Sequence, residues 1–258
     1  MYLYRFQKML AKLVVKKFIS ELGIPIMYYW RYVKKVMLSI VYMENSDVIV
    51  LYSDISALSY RTIEKYLDSI QIIKRIRVLN MTSRKRRIES IVGEILLQKC
   101  FEKIGMGYSS VKFSYNSYGK PLSDYCNVYF NISHSDNYVV CAMARSEVGI
   151  DIEKIDADFE YRSVKNIFCS NTQKNYQDIK DFYNDWVIKE SFLKYIGCGL
   201  NIALKNININ HTSKVVEDNQ DFPEVKAHFK LFNIDRNYSA AVCLTKKVEK
   251  VTLKYVEI

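Results

Sequence analysis

Seven residues, Val148–Lys154, read Val-Gly-Ile-Asp-Ile-Glu-Lys, and their alternation calls for a β-strand. Side chains along a strand point to opposite faces in turn. Val148, Ile150 and Ile152 therefore share an apolar face, while Gly149, Asp151 and Glu153 share the other. The first face demands a core. The second sets two carboxylates side by side, which repel and raise each other's pKa unless a cation compensates. Oxygen ligands of this kind suit Mg²⁺, which keeps several waters and takes further ligands from substrate phosphates. An exposed edge strand explains the same alternation, so the run alone leaves both explanations open.

A chain of 258 residues with 49% hydrophobic content can bury a real core as one large domain or two small ones. Three prolines and eight glycines argue against a disordered chain. The formal net charge of +10 favours an anionic partner: nucleic acid, a membrane surface, a phosphorylated small molecule or an acidic protein. Six scattered cysteines, with no CxxC pair and no zinc spacing, are expected to be reduced in a cytoplasmic protein. No apolar run approaches the ~18 residues of a transmembrane helix. Residues 1–47 read as a basic N-terminal extension. Arg5, Lys8, Lys12 and Lys16 fall on one helical face, with Phe6, Met9, Leu10 and Leu13 opposite. Such a segment either lies on a membrane or is a docked or frayed extension.

Val48–Ser56 predicts a strand, and the stretch from Ala57 to Ile70 a helix. Ile88, Ile91, Val92, Ile95 and Leu96 recur at helical spacing and predict a helix over 84–103. The basic run Ser83–Arg87 sits at its start, where the helix dipole disfavours cations and an anion would relieve them. A solvated charged face accounts for the run equally well. Gly119-Lys120-Pro121 predicts a turn. Two strands are then expected around a polar loop, Ser133–Asn137, with a helix-rich region from Ala157 to Ile196 and strands again toward the C-terminus. Asn137-Tyr138 before VVCAMA echoes Asn237-Tyr238 before SAAVCLT, a hint of a duplicated α+β unit. The expected fold class is α+β, with two similar packed subdomains, 48–145 and 146–258, and a crevice between them.

In Trp186–Leu200, Trp186, Glu190 and Lys194 line one stripe of a helix. Glu190 and Lys194 make either a surface ion pair or part of a site with Asp151 and Glu153. His134, beside Ser133 and Ser135, has the donors to hold a phosphate, and Lys120 would add charge.

Four motifs in this order resemble the Sfp-type 4'-phosphopantetheinyl transferases: Gly119-Lys120-Pro121, FNISHS at Phe130–Ser135, GIDIE at Gly149–Glu153, and WVIKESFLKYIGCGL at Trp186–Leu200. The resemblance implies an enzyme that moves 4'-phosphopantetheine from coenzyme A to a serine of an apo acyl or peptidyl carrier protein, releasing adenosine 3',5'-bisphosphate. It implies Mg²⁺ on Asp151, Glu153 and Glu190, with Glu190 also the base and Lys194 neutralising phosphate charge. Ser133, His134 and Lys120 would grip coenzyme A, and Lys74 and Arg77 match the family's basic positions loosely. A monomer in the cytoplasm is expected. Cys198 stands where some members have Lys. Glu89 stands four residues before Gly93 where the family often has Arg, with Arg86 about a helical turn away. The competing classes are a silent coenzyme A- or carrier-binding protein of the same fold and a basic nucleic-acid-binding protein. The acidic strand and the lack of a known nucleic-acid motif weigh against the latter.

Overall fold

The computed structural model describes residues 47–124, 127–169, 176–199, 202–218 and 220–258. Within them the chain is built as one strand–helix–hairpin unit followed by a second of the same plan. The first unit begins with β1 (Val48–Asp54) and passes through three helices, α1 (Tyr60–Ile63), α2 (Ile72–Leu79) and α3 (Arg84–Lys103). A small hairpin, β2 (Phe113–Tyr115) with β3 (Pro121–Ser123), leads to β4 (Tyr129–Ser135) and β5 (Tyr138–Ala144). The second unit runs from β6 (Val148–Lys154) through α4 (Tyr161–Phe168) and α5 (Ile179–Ile196). The hairpin of β7 (Ile207–Asn210) and β8 (Val215–Asp218) follows, then β9 (Lys226–Phe232) and β10 (Tyr238–Leu244). A last strand, β11 (Val251–Tyr255), pairs in parallel with β1, so the end of the chain completes the first sheet.

The sheets run β11-β1-β5-β4 and β6-β10-β9-β8-β7. The echo noticed in the sequence is a structural repeat. Val48 pairs with Ala144 and Asp54 with Tyr138, while Val148 pairs with Leu244 and Lys154 with Tyr238. Ile55 N–H donates to Asn137 O and Ile155 N–H to Asn237 O, each at 2.8 Å.

Alternation places the layers. Val48 and Val50, with Val140 and Ala142 of β5, face Val148, Ile150, Ile152, Ala240 and Val242 of the second sheet, so the two sheets share an apolar seam. On the outer face of the first sheet, Ile49, Leu51, Cys141 and Met143 pack on Val92, Leu96 and Phe101 of α3. Outside the second, Ala241, Cys243 and Phe229 pack on Val187, Ile188 and Phe192 of α5. The order is helix, sheet, sheet, helix.

The helix expected over 84–103 has those bounds, and Ser83 caps it by accepting from Arg86 N–H. Two expectations are corrected. Only α1 and a 3-10 segment, Glu64–Ser69, form where a single helix was expected before Ile70. Ser133–Ser135 are not loop but the end of β4, and the turn narrows to Asp136-Asn137, with Asp136 at φ 47°. Their backbone pairs with Tyr138–Val140 of β5, and the two serines find side-chain partners across the crevice on β6, a long-range match that local polarity does not reveal.

Candidate active site

Strands β4 and β6 run side by side where the two units meet, and side chains join them. Asn131 Oδ1 accepts from Ile150 N–H at 3.0 Å, Ser133 donates to Asp151 at 2.9 Å and Ser135 to Glu153 at 2.8 Å. The two serine–acid pairs are alternate positions of one strand meeting alternate positions of the other, as the pleat requires, and Asn131 adds a bond to the β6 backbone. The acid face of β6 is turned toward α5 and the crevice rather than toward water. Helix α5 lies so close that a Cβ on Gly149 would stand 2.0 Å from Ser191 O and 2.3 Å from Tyr195 N. Glycine at 149 therefore sets the distance at which α5 presents Glu190 and Lys194 to the acids.

Asp151 is 2% exposed. Its Oδ1 receives both the Ser133 hydroxyl and the Lys194 ammonium, the latter at 2.5 Å, and Lys194 also donates to Ser133 Oγ at 2.7 Å. Lys194 thus pairs across the crevice with Asp151. Asp151 Oδ2 is buried with no hydrogen-bond partner. Glu153 is pushed up to about 7, first by burial and then by the charge of Asp151, with Ser135 and Lys194 opposing. Burial and Asp151 also raise Glu190, and Lys194 partly offsets them. Three carboxylates thus share a low-dielectric corner with one ammonium. Among the described residues, no three acids, histidines or cysteines converge into a ready-made metal cage.

A cavity of about 320 Å³ opens beside this cluster, lined in part by Tyr118, Lys120, Asn131, Ile132, Glu190 and Lys194. Lys120 is mostly spoken for: its ammonium bonds Glu147 at 2.9 Å and the Tyr195 carbonyl at the end of α5 at 2.9 Å. Asn116 of the same turn donates to Gly197 O at 2.8 Å. Gly197 ends α5 in the left-handed region, φ 77°, and a Cβ there would meet Lys120 Cδ at 2.6 Å. Two motifs far apart in sequence are thereby clamped together.

His134 points to the other face of β4 from Ser133. Its Nδ1 lies 3.5 Å from Glu89 of α3, and burial lowers its pKa against the pull of that carboxylate. Lys74 does not reach the cavity. It is buried, bonded to both oxygens of Glu94 at 2.7 and 2.9 Å, with its ammonium 4.0 Å from the Phe113 ring centroid. Arg77 is exposed on α2. In the basic run, Lys85 pairs with Asp136 and Arg87 donates to Met81 O and Leu79 O, which leaves Arg84 and Arg86 outermost.

Sequence reasoning missed Ser135, Asn131 and Asn116 as parts of the site. The signal available was the same two-residue period in Asn131, Ser133 and Ser135. Lys189, inside the same motif as Glu190, is a buried anchor: it donates to Phe168 O at 2.6 Å and Leu204 O at 2.8 Å.

Residues 147–243 match the 4'-phosphopantetheinyl transferase superfamily, and residues 59–146 match the family described as 4'-phosphopantetheinyl transferase, N-terminal. The chain is 33% identical over 150 residues to the 4'-phosphopantetheinyl transferase gsp of Aneurinibacillus migulanus, spanning 55% of this chain and 61% of that protein. It is 30% identical over 201 residues to the 4'-phosphopantetheinyl transferase Sfp of Bacillus subtilis (strain 168), spanning 72% of this chain and 87% of that protein. The L-aminoadipate-semialdehyde dehydrogenase-phosphopantetheinyl transferase of Homo sapiens is 26% identical over 210 residues, 69% of this chain and 68% of its own. With its paired units, its acid-bearing strand and these matches across both halves, the chain belongs to the 4'-phosphopantetheinyl transferase superfamily.

Proposed function

We propose that the protein transfers 4'-phosphopantetheine from coenzyme A to a serine of an apo acyl or peptidyl carrier protein. The observation that carries this reading is the Asp151–Ser133–Lys194 cluster, with Glu153 and Glu190 around it, at the wall of the cavity. Its family membership supports the same activity. In the transfer, the serine oxygen bonds to the phosphorus that bears pantetheine. The bond from that phosphorus to the bridging oxygen breaks, and adenosine 3',5'-bisphosphate leaves. Glu190 takes the serine proton, directly or through a water. Its raised affinity for protons suits a base that must accept one near neutral pH. Lys194 lies within reach of both Asp151 and the cavity, where its charge opposes the negative charge that grows on the phosphate oxygens.

The residues present fit a divalent cation. Asp151 Oδ2 is a buried oxygen without a partner, and the carboxylates around it repel. Asp151, Glu153 and Glu190 are the residues that would hold Mg²⁺, which supplies charge neutralisation at the pyrophosphate when bound. Ser133, His134 and Lys120, with Lys194, remain the proposed contacts to coenzyme A. Lys74 is a weaker candidate because Glu94 already neutralises it, and exposed Arg77 would act only at the rim. One chain supplies both walls of the crevice, which favours a working monomer. The burial of the cysteines among the described residues suits a reducing cytoplasm. Among the described residues, no helix is long and apolar enough to cross a membrane.

The test is incubation with coenzyme A, Mg²⁺ and a panel of apo-carrier proteins, read by intact mass. One added phosphopantetheine on at least one carrier is expected. Coenzyme A binding with no mass gain on a broad panel would contradict the reading.

A further inference from the structure

Helix α2 carries an apolar face that none of the described residues covers. Ile72 is 57% exposed, Ile73 71%, Ile76 52% and Leu79 47%, while Lys74 and Val78 on the opposite side are buried. At about 100° per residue, the order around the exposed side is Arg75, Leu79, Ile72, Ile76, Ile73, Arg77. An aliphatic stripe thus has an arginine on each flank, Arg77 exposed and Arg75 paired with Asp68 at 2.6 Å. Single exposed aliphatics are ordinary, but a contiguous set with a charged rim marks an interaction surface.

The stripe is continuous with the site. Gln71, just before α2, donates to Val111 O at 2.6 Å and ties the helix to the segment that enters β2. At the end of β2, burial and the charge of Glu94 hold the Tyr115 hydroxyl above its ordinary pKa, and the charge of Arg77 opposes them. Tyr115 is 42% exposed and Tyr118 54%, and Tyr118 lines the cavity with Glu190 and Lys194. Six of the eight large exposed hydrophobics among the described residues thus lie on one track from α2 to the cavity mouth.

Charge selects the occupant. Against the +10 chain and the exposed Arg77, an acidic partner gains and a basic one loses. The chain's own first 46 residues carry Arg5, Lys8, Lys12, Lys16, Lys17, Arg31, Lys34 and Lys35 against Glu21 and Glu44, the same sign as the rim. A second copy would bring Arg77 against itself.

We propose that the α2 stripe, continued through Tyr115 and Tyr118, is the surface on which the acidic carrier protein docks, an apolar helix face against the isoleucines and carboxylates against Arg77. Docking there leads toward the cavity in which Glu190 would take the serine's proton. The inference rests on the transferase reading above and adds where the partner sits.

The experiment measures transfer by the full chain to an acidic apo-acyl carrier protein and an apo-peptidyl carrier domain. Wild type is compared with Ile73→Asp/Ile76→Asp and with the milder Ile73→Ser/Ile76→Ser, each checked for an unchanged thermal melt. Truncating central interface residues costs enough to raise the carrier KM about tenfold or more, with kcat and the KM for coenzyme A unchanged. Radical footprinting of the unaltered protein reads the same surface without substitution: protection at Ile72–Leu79 is expected when carrier is added. Unchanged carrier KM with no protection overturns the docking surface and leaves the transferase reading standing. A parallel rise in the KM for coenzyme A assigns the stripe to the cofactor and also overturns it. So does a carrier KM that responds only when residues 1–46 are present, or a wild-type dimer that the substitutions dissociate with transfer intact. No transfer by wild type to any carrier overturns both proposals.

Discussion

Asp151 shows why an acid is tolerated where an aliphatic would pack more simply. Burying a carboxylate without partners is costly, and here one oxygen is satisfied by Ser133 and Lys194 while the other is left without a partner. Glu190 has two separable jobs, and Glu190→Gln distinguishes them. The amide keeps shape and an acceptor oxygen but loses charge and basicity. If Glu190 takes the serine proton, a ~10²–10⁴-fold loss in kcat persists at saturating Mg²⁺, and the acid limb of the pH–rate profile flattens. Full rescue by Mg²⁺ leaves it a ligand only. Glu153 offers a test on stability. Its folded carboxyl titrates near 7 against an ordinary value of 4.5, so the folded state holds a proton that the unfolded chain releases. That contribution is present below pH 4.5, shrinks as pH rises and is gone above about 7. In metal-free buffer, urea unfolding from pH 5 to 8 is expected to show wild type losing stability relative to Glu153→Gln. Parallel profiles would remove Glu153 as the cause.

At the scale of elements, the contact between β6 and α5 decides whether the acids meet their partners. Gly149→Ala places a methyl against the backbone of Ser191 and Tyr195. Overpacking of this kind costs about 1–3 kcal/mol, and here backbone rather than a flexible side chain must move. Denaturant unfolding is expected to show a loss at or above that range, with activity falling further because Glu190 and Lys194 are displaced. A stable, fully active variant would mean that α5 shifts freely. The acid face of β6 and the bounds of α3 were legible because each depends on local period alone. The β4 serines were misread as loop because their partners are 18 residues away on another sheet. The engagement of Lys74 with Glu94 and of Lys120 with Glu147 was hidden for the same reason: sequence shows a cation but not the acid that folding brings to it. Helix α2 went unread because its exposed isoleucines blur the contrast between an inside and an outside face.

For the whole molecule, the repeat explains the site's position. Each unit alone leaves one flank of its sheet to be completed by the other: β11 closes the first sheet, and β4 meets β6 through side chains. The site forms where the repeat is unequal, with Asp151 and Glu153 on β6 but Leu51 and Ser53 at the matching positions of β1. Every proposed catalytic and ligand residue lies beyond Lys74 or at it, and Asp47 anchors the start of β1 by accepting from Glu249 and Lys250 N–H. Deleting residues 1–46 is therefore expected to leave kcat and the KM for coenzyme A within about twofold, a small effect on the scale where 1.4 kcal/mol is tenfold. A folded truncation without activity would make that segment part of the site. The central claim is a coupled transfer, and its most direct measurement follows both products in one reaction. Carrier mass and released adenosine 3',5'-bisphosphate are read together, for wild type and for Asp151→Asn. The account predicts one phosphopantetheine gained for each nucleotide released, with both abolished in Asp151→Asn and in a carrier whose acceptor serine is alanine. Nucleotide released without carrier modification, or transfer undiminished in Asp151→Asn, would contradict it.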